Sequence, residues 1–314
     1  MKLFRHYNSV GPDLKGSAVA LGNFDGVHRG HRAVIGAAQT RARELGKPSA
    51  VLTLEPHPRS VLVPDAPAFR LTPFKPKMRL IEALGVDALF VLHFDHAFSQ
   101  LTAERFVQEV LVDGLGARHV VVGYDFEFGH NRGGTFPVLQ RLGGGAGFDV
   151  SEVPPVSDPA GGVLSSTRIR ALLEDGRPGL AADLLGHPFE IEGRVEQGEK
   201  RGRTIGFPTA NLALADYLRP RFGVYAVKVG IDEGRRTEWV GGVANIGRKP
   251  TVGTFKELLE VHLFDTAGDL YGKHLRVQLL HFLRPEQKFD GLEALKAQIA
   301  ADAQAARAFL QMAP

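Results

Sequence analysis

Ten consecutive residues, Gly22-Asn23-Phe24-Asp25-Gly26-Val27-His28-Arg29-Gly30-His31, combine three glycines with two histidines three positions apart. They follow the apolar run Ala18-Val19-Ala20-Leu21 and precede a helical pattern from Ala33 to Leu45. The order reads as strand, tight turn and helix start. His28 and His31 then fall in the first helical turn, on neighbouring positions of one face. A helix start offers free N–H groups and a partial positive charge, which makes it a seat for phosphate. Gly30 removes a side chain that would block a close-lying nucleotide. The set suits a triphosphate attacked at its α-phosphorus while pyrophosphate leaves.

Three further groups could join such chemistry. Ser165-Ser166-Thr167-Arg168-Ile169-Arg170 opens another helical pattern. Its hydroxyls can cap the helix and bond phosphate oxygens, and its arginines supply forked donors for β- and γ-phosphates. His57 stands between Pro56 and Pro58; it either lines an acceptor pocket or serves as a structural loop histidine. Asp125, Phe126 and Phe128 follow a strand beside Gly129, where aromatic rings can stack on a flat ring or fill the core.

Further on, Arg201-Gly202-Arg203-Thr204-Ile205-Gly206-Phe207-Pro208-Thr209-Ala210-Asn211 joins glycines and arginines to a Pro-Thr-Ala-Asn tail. Glycines at 202 and 206 and the Arg203 charge suit phosphate. Thr209 and Asn211 share a face of an extended segment, and their neutral oxygens suit Mg²⁺. A Gly-rich surface turn followed by an edge strand would read the same way.

The elements that must position these residues change character midway. Strand patterns at Ser17–Leu21, Ala50–Leu54, Ala88–Leu92, His119–Val122 and Phe148–Val153 alternate with helical patterns near Arg32–Leu45, Pro76–Leu84, Ala103–Leu115 and Pro137–Leu142. That alternation predicts a Rossmann-like α/β domain with a parallel sheet and ligands at the strand ends. Helices follow from Ser165 to about Asp175 and over Pro178–Leu185. Short runs at Phe189–Val195, Gly223–Val229, Glu238–Asn245, Leu258–Phe264 and His274–Leu283 then predict a small all-β barrel, and the Ala-rich stretch Gly291–Leu310 a final helix. The expected domains are 1–186 and 187–314.

At 314 residues the chain is long enough for two domains. It has no cysteine, which excludes disulfides and thiolate chemistry and fits a cytoplasmic location. Its first residues lack an apolar signal region, and no stretch is apolar enough to cross a membrane. With 38 basic and 35 acidic residues the net charge is +3. This fits phosphorylated substrates and gives a nucleic-acid-binding regulator no basic stripe to work with. An oligomer is compatible with the sequence.

The GxFDGxHxGH motif with SSTRIR resembles the HxGH nucleotidyltransferase superfamily. The resemblance implies nucleotidyl transfer without a covalent intermediate, at an ATP site formed by Gly22, Asn23, Phe24, Asp25, His28, Gly30, His31, Ser165, Ser166, Thr167 and Arg168. It gives Arg168 the leaving pyrophosphate. RGRTIGFPTAN resembles the riboflavin kinase signature, as do Gly223-Val224-Tyr225, Asn245–Thr251, Leu259–Leu263, Leu270-Tyr271-Gly272 and Arg284–Phe289. Together the motifs cover nearly the whole chain and resemble the family of bacterial bifunctional riboflavin kinase/FMN adenylyltransferases. That family implies riboflavin, FMN, FAD, ATP, ADP and pyrophosphate as substrates and products. It implies Gly202, Arg203, Gly206, Thr209 and Asn211 at the kinase ATP site, with Thr209 and Asn211 as magnesium ligands. Glu260 would be the general base, and Tyr225, Arg284 and Glu286 would touch flavin, as would His57, Asp125, Phe126 and Phe128 in the other site. Leu54, Asp125 and the run Asp265-Thr266-Ala267-Gly268 depart from the family pattern, at no phosphate or metal position.

Overall fold

The structure, a computed structural model, describes every residue except Ser9, 197–205, Arg235, 252–253, Ala267 and 313–314. Side chains of 249–251, 254 and 312 are also left undescribed. The chain divides into two compact units, Met1–Pro67 with Thr72–Ser165, and Ala68–Leu71 with Ser166–Pro314.

The first unit is the expected parallel α/β layer structure. Its strands are β1 (Lys2–Phe4), β2 (Ala18–Leu21), β3 (Ser49–Glu55), β4 (Ala88–His93), β5 (His119–Gly123) and β6 (Asp149–Val153). They lie in the order β1-β4-β3-β2-β5-β6, and every pairing is parallel. Alternate residues feed two cores. Val19, Leu21, Leu52, Phe90 and Val120 face one side, while Ala20, Val51, Leu89 and Val121 face the other. Helices cover both faces: α1 (Arg29–Leu45), α2 (Pro58–Leu62), α3 (Phe74–Glu82), α4 (His96–Ser99), α5 (Ala103–Arg105) and α6 (Phe136–Ala146). The helix expected over Ala103–Leu115 continues past α5 as a π-helix, Phe106–Gly114. The strand order reverses between β2 and β5, so the crevice beyond their carboxyl ends is the place where such sheets bind ligands.

The second unit begins with α7 (Ser166–Glu174) and α8 (Pro178–Leu185). An antiparallel sheet follows, built from β7 (Phe189–Arg194), β8 (Ala210–Ala213), β9 (Gly223–Glu233), β10 (Arg236–Thr251), β11 (Thr254–Leu263) and β12 (His274–Pro285). The order is β7-β12-β9-β10-β11-β8. The sheet curls until its edges meet, where Glu196 N–H donates to the Asn211 carbonyl at 2.9 Å. Tyr225, Val227, Val229, Ile246, Leu259 and Val277 fill the inside. α9 (Leu292–Met312) lies on the outside, packing Ala306 against Val224, Ala226 and Val243. β1 escaped the sequence reading as a strand, its three residues being too few for a periodic signal, whereas β8 is the extended segment expected at Thr209 and Asn211.

Candidate functional site

In the first unit the site grows from one turn. Phe24, Gly26 and Val27 all take positive φ (51°, 90° and 40°), which reverses the chain between β2 and α1. The Asp25 carboxylate, 3% exposed, accepts from Thr72 N–H at 2.9 Å, and Gly26 N–H donates to Thr72 Oγ1 at 2.7 Å. Asp25, expected to touch ATP, therefore fastens the turn to the segment ahead of α3.

His28 caps α1: its Nδ1 accepts from His31 N–H at 3.2 Å. In a neutral ring that bond leaves the proton on Nε2. The two imidazoles stack at 3.6 Å and 20°, and the Phe24 ring meets His31 edge-on at 5.4 Å. A Cβ on Gly30 would lie 3.1 Å from the His28 ring. The space Gly30 leaves is thus taken by the histidine itself. Asn23 is exposed at the mouth of the turn, its carbonyl accepting from Thr53 Oγ1 at 3.1 Å.

The flavin-side residues divide. His57 takes the structural alternative at its Nδ1, capping α2 by accepting from Arg59 N–H at 3.1 Å. Asp125 is exposed just beyond β5, and Phe126 is half-buried. Phe128 takes the core-filling alternative. It is 8% exposed, pairs with Phe106 at 5.4 Å and Phe126 at 5.6 Å, and covers Gly134, where a Cβ would collide with it. Sequence reading missed Thr53, Glu55, Thr72 and Lys77. Lys77 Nζ sits 2.7 Å from Glu55 Oε1 at 1% exposure. Nothing in a helix-forming sequence distinguishes such a lysine from a solvated one.

The Ser165–Arg170 motif spans the division between units. Ser166 opens α7, Thr167 is exposed, Ser165 and Arg168 are half-buried, and Ile169 anchors the helix at 0% exposure. Arg170, read as a phosphate donor, gives its Nε–H to the Phe69 carbonyl at 2.8 Å.

In the second unit the site is a row across the outer face of the sheet. Register places Asn211 of β8 opposite Glu260 of β11, Glu260 opposite Asn245 of β10, Asn245 opposite Val224 of β9, and Val224 opposite Arg284 of β12. Opposed residues in antiparallel strands point the same way. Asn211 is 6% exposed and its Oδ1 is buried with no hydrogen-bond partner among the described residues. Such an atom costs free energy unless something else satisfies it. Glu260 is half-buried beside it. Thr209 precedes β8, its approach fixed by a 2.9 Å hydrogen bond between His262 Nδ1 and the Pro208 carbonyl. Glu286 closes the row, accepting from Asn245 Nδ2 at 3.4 Å and lying over Gly247, where a Cβ would collide with its carboxylate. Gly206 is exposed, while Gly202 and Arg203 lie outside the described residues.

Two expected flavin contacts have other surroundings. Tyr225 points into the sheet interior at 0% exposure, because alternation sends Val224 outward. Its hydroxyl donates to the Arg221 carbonyl, its ring meets Phe282, and burial raises its pKa. Arg284 grips Asp302 of α9 through two hydrogen bonds, 2.9 and 2.7 Å, and so fastens that helix. Below the row, Arg219 and Arg248 hold Glu257 at 2.7 and 3.1 Å and lower its pKa, the Arg219 hydrogen bond being the larger cause.

Residues 11–168 match the family model for FAD synthetase, and residues 185–310 match that for riboflavin kinase. The chain is 45% identical to the bifunctional riboflavin kinase/FMN adenylyltransferase of Escherichia coli (strain K12), over 98% of both proteins. It is 41% identical to the protein of that name from Bacillus subtilis (strain 168), over 92% of this chain and 91% of the relative. A solved structure titled as a macrolide-efflux protein from Streptococcus pneumoniae superposes with a TM-score of 0.85 at 34% identity, covering 97% of this chain and 98% of that one. Among the described residues no helix is long and apolar enough to cross a membrane. With two matches in this order and relatives spanning nearly its whole length, the chain belongs to the bifunctional riboflavin kinase/FMN adenylyltransferase family.

Proposed function

We propose that the chain makes FAD from riboflavin in two steps, with residues 187–314 as the kinase and residues 1–186 as the adenylyltransferase. The observation that carries this reading is that each of the two family matches contains one of the two constellations described, the Asn211–Glu260–Asn245 row and the His28–His31 helix start.

In the kinase step Glu260 takes the proton of the ribityl 5′-hydroxyl. The oxygen attacks the γ-phosphorus of ATP, the bond to the β-phosphate oxygen breaks, and FMN and ADP form. Little covalent work is asked of the protein, so alignment dominates. Glu286 and the segment after Arg284 border the flavin end. The donor set fits a hard cation: the buried Asn211 Oδ1 has no partner among the described residues, and Thr209 offers a second neutral oxygen. Among the described residues no three His, Asp or Glu side chains form a metal cluster, so ATP oxygens and water would complete a shell around Mg²⁺. Mg²⁺ held there by Asn211 and Thr209 would neutralise charge on the transferring phosphates.

In the adenylyl step an FMN phosphate oxygen attacks the α-phosphorus of a second ATP. The bond to the β-phosphate breaks and pyrophosphate departs. His28 and His31 donate to the triphosphate at the positive end of α1. His57, Asp125 and Phe126 border the FMN side. The reactions need no nucleic acid and no membrane, and we place them in the cytoplasm.

The test is a time course with riboflavin, ATP and Mg²⁺, separating flavins by chromatography. FMN appearing first and FAD later is the expected result. FMN alone would withdraw the first unit's assignment, and no product at all would withdraw both.

A further inference from the structure

A buried lysine in α3 joins the two loops that flank the adenylyl site. Lys77 is 1% exposed. Its ammonium lies 2.7 Å from Glu55 Oε1 and 3.5 Å from Thr53 Oγ1. Thr53, at 0% exposure, passes its own proton to the Asn23 carbonyl at 3.1 Å. Glu55 ends β3 and leads directly into Pro56-His57. Asn23 begins the turn that carries His28 and His31. One side chain is thereby connected to the acceptor-side loop through a carboxylate, and to the nucleotide-side loop through a hydroxyl. The same segment holds the far end of that turn, because Thr72, just ahead of α3, binds both Asp25 and Gly26.

Burying an ammonium is expensive, and a buried ion pair is weak evidence for stability. An apolar residue of similar length would fill the site at lower cost. What an ammonium adds is several donors on one atom and no acceptor, so it can hold acceptors from separate segments at one point.

We infer that Lys77 is a positioning residue for adenylyl transfer. It sets the spacing between the His57 loop and the His28–His31 turn, and touches no phosphate itself. The inference rests on the assignment of the first unit as the adenylyltransferase.

Its test uses the full-length chain with Lys77→Met, Lys77→Arg and Thr53→Val. FAD formation from supplied FMN and ATP is measured beside FMN formation from riboflavin in the same preparation. Lys77→Met should lower the adenylyl kcat about a hundredfold, the scale of a small misplacement of reacting groups, and leave FMN formation unchanged. Lys77→Arg should recover most of the loss. Thr53→Val, which alters no charge, should lower kcat roughly tenfold with little change in the KM for ATP. Thermal melts of each variant identify loss through unfolding. If folded Thr53→Val transfers adenylyl at the wild-type rate, or if every loss follows the unfolded fraction alone, the positioning role is overturned. A wild-type chain that makes FMN but never FAD would instead defeat the assignment of the first unit.

Discussion

The proposed adenylyl-transfer site is built along the chain, and the proposed phosphoryl-transfer site is built across it. Gly22 to His31 is a single turn whose groups meet because they are neighbours in sequence. Asn211, Glu260 and Asn245 come from three strands and meet through register. The first kind of site depends on backbone torsions and on the side chains that fasten them. The second depends on pairing: a one-residue slip of β11 would turn Glu260 into the barrel and bring Leu259 or Val261 out. Damage should therefore spread differently in the two.

The sharpest break is Asn211→Ala. Removing its buried side-chain oxygen should abolish FMN formation, by about a thousandfold or more, while supplied FMN is still adenylylated. Loss of both activities would show that the two sites are not separable. Next is His31→Ala, expected to lower FAD formation by roughly a hundredfold to a thousandfold and spare FMN formation. Glu260→Ala should reduce the kinase kcat more than riboflavin binding; a change confined to KM would make Glu260 a binding residue.

Smaller effects sharpen the contrast. Gly30→Ala forces the His28 ring aside and should cost FAD formation about tenfold, since packed neighbours must give way. In the other unit, Asp302→Ala removes the carboxylate that Arg284 grips, leaving it the Pro285 carbonyl and the Phe289 ring. Stability of the kinase unit should fall by about 2 kcal/mol, read as an earlier melt of FMN formation than of FAD formation. The smallest is a pH effect at Glu257. Its folded pKa lies below the ordinary 4.5, so its pairing stabilises the fold above that pH and is lost as pH falls through the lower folded value. Glu257 remains partly solvated, so Glu257→Gln should cost a few tenths of a kcal/mol at neutral pH and nothing in strong acid, measured by denaturant midpoints.

Much of this was legible in the chain. Strand, glycine turn and histidine helix start form a local signal, and the parallel sheet followed from strands alternating with helices. What escaped reading was mostly long-range. Thr72, which binds Asp25 from far along the sequence, is an ordinary threonine before a proline. Lys77 looks like any helix lysine. Tyr225 reads as a pocket wall until register decides which face of β9 it occupies. Phe128 shows the reverse: of the two readings its sequence left open, ligand stacking and core filling, the ring closes the core over Gly134. Arg284 was legible as important, but its partner Asp302 lies in a helix whose composition gives no hint of the contact.

The turn between β2 and α1 has a consequence for how this chain could change over generations. Phe24 and Val27 hold backbone angles that L residues avoid, each at a cost of about 1–3 kcal/mol, and their buried side chains help to keep them there. A population screened for heat tolerance alone would find relief at these two positions, through residues that relax the turn. Each gain would displace the histidines of α1, so hardier descendants would be poorer makers of FAD.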